Sequence, residues 1–177
     1  MPRLSPLTDV QLSTDTRAAF EKHIREHQSR ITNMKATMGR SVLAFEIYMR
    51  WYDLYENVKA ITGERLAYLF AHSISLGSNC PLCTTYFRKV IIENGEKPEE
   101  LLLSEEEQML LDFGSEISVR SGEISEELYK KIAAKYSEEE LVVLVAFAGQ
   151  MIATNVFSNV FEVQIDDYLA PYVSMTK

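Results

Sequence analysis

Apolar positions recur three and four residues apart along almost the whole chain, and no stretch shows the strict alternation that a half-buried strand requires. The pattern predicts an all-α protein. Ser13 or Thr14 opens a first helix, whose stripe Phe20, Ile24, His27, Ile31 and Met34 runs towards Gly39. Ser41 opens a second, with Val42, Phe45, Met49, Tyr52, Leu54 or Tyr55, Val58 and Ile61 on one side. Thr62-Gly63-Glu64 leads into a third, from Arg65 to about Leu76, which stops at Gly77. A fourth runs from Pro81 to Asn94 and ends at Gly95. Ser104-Glu105-Glu106-Glu107 and Ser137-Glu138-Glu139-Glu140 are capping boxes that open helices to about Arg120 and about Phe161, and a shorter helix follows Ser125. The last helix is apolar nearly all round from Leu141 onwards, which marks it as a central element.

Residues 1–12 hold two prolines and no periodicity, so they read as an arm over the surface or a neighbouring subunit, and 166–177 read as a terminal tail. The aromatic stretch from Tyr48 to Tyr55, with the only tryptophan, reads as packed core or a subunit face in preference to a ligand pocket. About seven helices in a single domain suit a chain of 177 residues with a 46% hydrophobic composition.

Charge narrows the function classes. With 26 acidic against 18 basic residues and no basic cluster, nucleic-acid and anionic-membrane binding are disfavoured. The N-terminus lacks the apolar core of a signal peptide, and the longest apolar run, Leu141 to Ala148, is too short for a bilayer, so a cytoplasmic location is expected.

Chemistry concentrates in Ser78-Asn79-Cys80-Pro81-Leu82-Cys83, which holds both cysteines. Pro81 at the first helical position puts Cys80 at the N-cap and Cys83 one turn on, so the two sulfurs face the same way. The free N–H groups and positive dipole end favour a thiolate on Cys80. In a reducing compartment a lone C-x-x-C points to redox or metal chemistry, against the plain alternative of two small buried hydrophobes. A zinc site needs two more ligands, which His23 and His27 supply only if the first helix packs over Cys80. His72, a turn beyond Tyr68 and two turns before the cysteines, is a candidate base or else a buried structural histidine. Tyr68 and Tyr86 are candidate positioning groups, since a tyrosine pKa near ~10 makes a poor base.

The helix order, the Arg65-Leu66-Ala67-Tyr68-Leu69 segment, Cys80-Pro81-Leu82-Cys83, the Gly95 stop, the Ser-Glu-Glu-Glu starts and the long apolar helix with Asn155 and Asn159 resemble the carboxymuconolactone decarboxylase family, in its alkylhydroperoxidase D-like branch. The resemblance implies an all-α subunit assembled as dimers, trimers or hexamers, without a bound cofactor or metal. It also implies that Cys83 attacks a hydroperoxide or disulfide and Cys80 resolves it, with electrons from an unknown thiol donor. The branch's proton relay has a glutamate twelve residues before the first cysteine, a histidine four after the second and, in some members, a histidine between them; here Tyr68, Phe87 and Leu82 stand there. That departure favours a second reading, an oligomeric scaffold that kept the fold and lost the chemistry. A third, a lactone decarboxylase-like lyase, sits badly with the cysteine pair.

Overall fold

The computed structural model describes residues 1–174, and the last three positions of the expected tail, 175–177, lie outside them. Among the described residues there are nine α-helices, two short 3₁₀ segments and no strand. The helices are α1 (Thr14–His27), α2 (Asn33–Met38), α3 (Val42–Met49), α4 (Trp51–Thr62), α5 (Glu64–Gly77), α6 (Pro81–Glu93), α7 (Glu105–Val119), α8 (Glu126–Lys135) and α9 (Glu138–Val160). Both capping boxes form: Ser104 and Ser137 each accept an N–H at the third helical position and receive Glu107 or Glu140 in return. Ser125 does not cap with its side chain; its N–H and hydroxyl go to Glu116 on α7.

Two helices expected as single rods are broken. The first stops at Gln28, which takes a left-handed conformation with φ 48°, and restarts as α2 behind a Thr32 cap. Residues 28–32 wrap the Lys35 ammonium, which hydrogen-bonds Ser29 Oγ and the Arg30 carbonyl, and that closure takes precedence over helix continuity. The buried face of α1 is accordingly Thr16, Phe20 and His23, while Ile24 is exposed. The second rod turns at Arg50, whose N–H bonds Ile47 and Tyr48 carbonyls, and separates α3 from α4.

The central helix is α5, not α9. Nine consecutive residues of α5, Ala67 to Ser75, are buried, and it packs on α4, α6, α7 and α9. Small side chains and Gly114 of α7 make this possible: a Cβ on Gly114 would stand 2.6 Å from Ser73 Oγ and 2.8 Å from the Phe70 ring. By length and composition α9 is apolar enough to cross a membrane, which the short run Leu141–Ala148 did not register. One side of it packs inward through Leu144, Phe147, Ala148 and Met151; Val142, Val145, Val156 and Val160 form an exposed stripe on the other.

The N-terminal arm and the 3₁₀ segment after α9 are both tied down. In the N-terminal arm Arg3 bonds the Phe161 and Val160 carbonyls and pairs with Glu162, and the Leu7 N–H donates to the Ala36 carbonyl. The expected tail is partly structural: Asp167–Tyr172 forms a 3₁₀ segment against α6, with Leu169 buried, Arg88 donating to the Tyr172 carbonyl and Tyr172 Oη to Glu93.

Candidate active site

α5 ends at Gly77, and Asn79 turns the chain through a left-handed conformation with φ 48° into the N-cap Cys80. Asn159 on α9 holds that turn by donating to the Ser78 and Asn79 carbonyls, both at 3.2 Å. Pro81 supplies the first helical residue, and the backbone N–H of Cys83 donates to Cys80 Sγ at 3.4 Å. The two thiols are free and both buried, Cys80 at 1% and Cys83 at 7% exposure.

Their environments push them apart. Cys80 is lowered from the usual thiol range by the Cys83 thiol and by backbone N–H groups of Cys83 and Leu82, against the opposing effect of burial. Cys83 is raised well above that range because its hydrogen serves the Cys80 sulfur and because it is buried. Of the two, Cys80 is thus the more acidic thiol and Cys83 the less acidic. Ser158 of α9 faces both sulfurs closely enough to favour their thiolates, and its hydroxyl completes no hydrogen bond of normal geometry. Sequence reasoning passed over Ser158, although it lies between Asn155 and Asn159 on the same helix, a turn from the first. Asn155 is fully buried with both amide atoms unpartnered.

Cys83 lines a cavity of about 380 Å³; Cys80 does not. Leu82 and Phe87, at two of the three relay positions, help to line it with apolar surface. Tyr86 lines it as well and is partly exposed. Tyr68 lies elsewhere, donating to Glu96 Oε2 at 2.9 Å within a network where Arg65 binds Glu96 and Glu107. His72 is absent from the cavity wall and from the groups acting on either sulfur. It is buried beside Arg88 and Glu99, with Nε2 unpartnered, and burial lowers its pKa to about 4, so it is neutral. The structure thus brings together Cys80, Cys83 and Tyr86 from the sequence candidates and leaves Tyr68 and His72 apart.

The opposite wall comes from the N-terminal helices and was not anticipated. Tyr48, Trp51 and Tyr52, read as core, line the cavity along with His27, Ser29 and Lys35. They are also core, in that Trp51 stacks on Tyr55 at 4.6 Å and its indole N–H donates to Met151 Sδ. His23 is buried against Phe45, Tyr52 and His27, far from serving Cys80, and among the described residues no three His, Cys, Asp or Glu side chains form a metal-binding group.

No family model and no curated protein matches the sequence. Solved structures do. The debrominase Bmp8, in a cysteine-to-alanine form in complex with 2,3,4-tribromopyrrole, aligns with a TM-score of 0.77 at 17% identity, over 96% of this chain and 94% of that one. Its apo form gives 0.75 at 16% identity, over 96% and 95%. An uncharacterized peroxidase-related protein from Silicibacter sp. TM1040 gives 0.68 at 13% identity, over 96% of both chains.

Proposed function

From the alkylhydroperoxidase D-like all-α fold that the chain has, we propose that it is a thiol–disulfide oxidoreductase in which Cys83 meets the substrate and Cys80 resolves the product. One observation carries the reading: Cys83 alone of the pair opens on the cavity, with the Cys80 sulfur within hydrogen-bonding reach behind it. In the reaction Cys80, as thiolate, is the base that accepts the Cys83 proton, a role the branch gives to its glutamate and histidine. The Cys83 thiolate then attacks the outer oxygen of a hydroperoxide; the O–O bond breaks, and the alkoxide takes a proton from solvent and leaves as alcohol. The Cys80 thiol attacks the sulfenic acid on Cys83, the S–S bond forms, and hydroxide leaves with the Cys80 proton as water. An external thiol donor returns the two electrons.

A second electron acceptor is favoured by the cavity itself, which is larger and more aromatic than a hydroperoxide needs, and by the likeness to Bmp8. An aryl bromide there would pass its halogen to the Cys83 thiolate, the aryl carbanion would take a proton, and Cys80 would displace bromide to close the same disulfide. Both reactions consume two thiols. We also infer that the protein assembles with copies of itself: the stripe expected to drive assembly, on the first two helices, is largely covered within the chain, but the valine stripe of α9 is not.

The test is mass spectrometry with thiol alkylation after exposure to cumene hydroperoxide or to tribromopyrrole. A loss of two hydrogens confined to Cys80 and Cys83, reversed by dithiothreitol, is expected with at least one acceptor. Full alkylation of both cysteines after both treatments would overturn the redox reading.

A further inference from the structure

The cavity wall facing the N-terminal helices holds a cation that the thiol chemistry does not use. Lys35 is only 5% exposed, and its ammonium spends all three hydrogens inside the protein, on Ser29 Oγ at 2.7 Å, Tyr52 Oη at 2.9 Å and the Arg30 carbonyl at 3.0 Å. Among the described residues no carboxylate lies at ion-pair distance from it. Asp166 acts on it only from further off; one of its oxygens accepts the Asn33 N–H and the other is buried and unpartnered. A buried ammonium without a counter-ion in contact is costly, and a ligand anion relieves that cost.

The Ser29 and Tyr52 hydroxyls carry the influence of the charge towards the cavity. Ser29 Oγ and Tyr52 Oη are 2.8 Å apart, and each already accepts from Lys35. One hydroxyl donates to the other, which leaves one hydroxyl hydrogen without an acceptor among the described residues. Ser29 and Tyr52 both line the cavity that Cys83 lines. His27 stacks on the Tyr52 ring at 4.3 Å and fixes its plane. The free O–H is polarised by a cation directly behind it, the arrangement that makes a strong donor to a negative oxygen.

We propose that Lys35, Ser29 and Tyr52 form an anion subsite that receives the ionised oxygen of a small planar aromatic substrate of phenolate type, whose ring lies among Trp51, Tyr86 and Phe87 and faces Cys83. A cavity of about 380 Å³ suits one substituted ring. Burial lowers Lys35 only to about 8, so the ammonium is the main form at neutral pH. The subsite rests on the reading of this cavity as the place where substrate meets Cys83, and it is tested by binding without turnover.

The experiment titrates the reduced, full-length protein with 4-nitrophenolate and, separately, nitrobenzene, following quenching of the single tryptophan, Trp51, and the visible band of the phenolate. Wild type should prefer the phenolate by about ten- to a hundredfold, the range for one hydrogen bond to a charged group. Lys35→Met should lose that preference while still binding nitrobenzene. Tyr52→Phe, which keeps the ring and removes one hydroxyl, should reduce it and serves as the deciding variant if Lys35→Met does not fold. Equal affinity of wild type for both probes, binding of neither, or an undiminished preference in the folded variants overturns the subsite. Cysteine cycling without the preference would sink the subsite alone; the preference in a protein whose cysteines never oxidise would sink the redox reading alone.

Discussion

The backbone N–H of Cys83 donates to the Cys80 sulfur at 3.4 Å, so the thiol that ends the turn is made more acidic by the residue that faces the cavity. This inverts the usual expectation that the exposed thiol is the acidic one, and it separates the behaviour of the two cysteines. In the wild type an ultraviolet thiolate absorbance should develop below the ordinary thiol range; Cys80→Ser should abolish it and slow Cys83 oxidation by ~10²–10⁴-fold, the usual worth of a general base. The sulfenic acid that forms should then persist and be trapped by dimedone on Cys83. Cys83→Ser should leave no oxidisable thiol on the cavity. Equal rates of dimedone labelling in both single variants would contradict this division of roles.

His72 is expected to affect stability and not rate. It is buried and neutral, with a pKa near 4, as is His23, while unfolded histidine titrates near 6.5. Both folded values lie below the unfolded one, so the unfolded state gains protons first as pH falls. Stability is therefore full above about 6.5 and is lost as pH drops towards 4, at up to ~1.4 kcal/mol per pH unit for each histidine. Urea unfolding across that range should show the slope, reduced in His72→Asn, and the oxidation rate per folded subunit should be unchanged. A rate that falls with His72→Asn in the folded fraction would restore it as a base.

Tyr68→Glu tests whether the position of the branch's glutamate still serves the thiols. Tyr68 Oη donates to Glu96, and both Glu96 and Glu107 surround Arg65, so a carboxylate at position 68 meets like charge and removes a donor to a charged acceptor. A loss of ~2–4 kcal/mol is expected with no gain in oxidation rate. Thermal and urea melts beside stopped-flow oxidation would show it, and a faster enzyme of unchanged stability would refute the placement.

The α9 stripe should govern assembly. Val145 and Val156 are 48% and 52% exposed on the same side of that helix. Replacing both by Asp should shift sedimentation velocity from an oligomer to the mass of one chain, with the helical circular dichroism retained. A wild type that already sediments as a single chain at micromolar concentration would dispose of the assembly reading.

Local physics made much of this protein legible without a structure. The two capping boxes, Pro81 after Cys80, and the glycine stop at Gly95, at φ 84°, act over four or five residues, so sequence alone determined those helix ends and the juxtaposition of the two sulfurs. What packs on what depends on side-chain volumes brought together from distant segments. That α5 with its serines and His72 is central, and apolar α9 peripheral on one side, was decided by the close approach that Gly114 permits beside Ser73. The break at Gln28 has the same origin, because a helix propensity summed over residues 14–38 does not register that Lys35 draws Ser29 and the Arg30 carbonyl round its ammonium. The cavity belongs wholly to tertiary structure: its thiol comes from α6, its cation from α2 and its aromatic wall from α3 and α4, and no spacing within any one of those segments encodes their meeting.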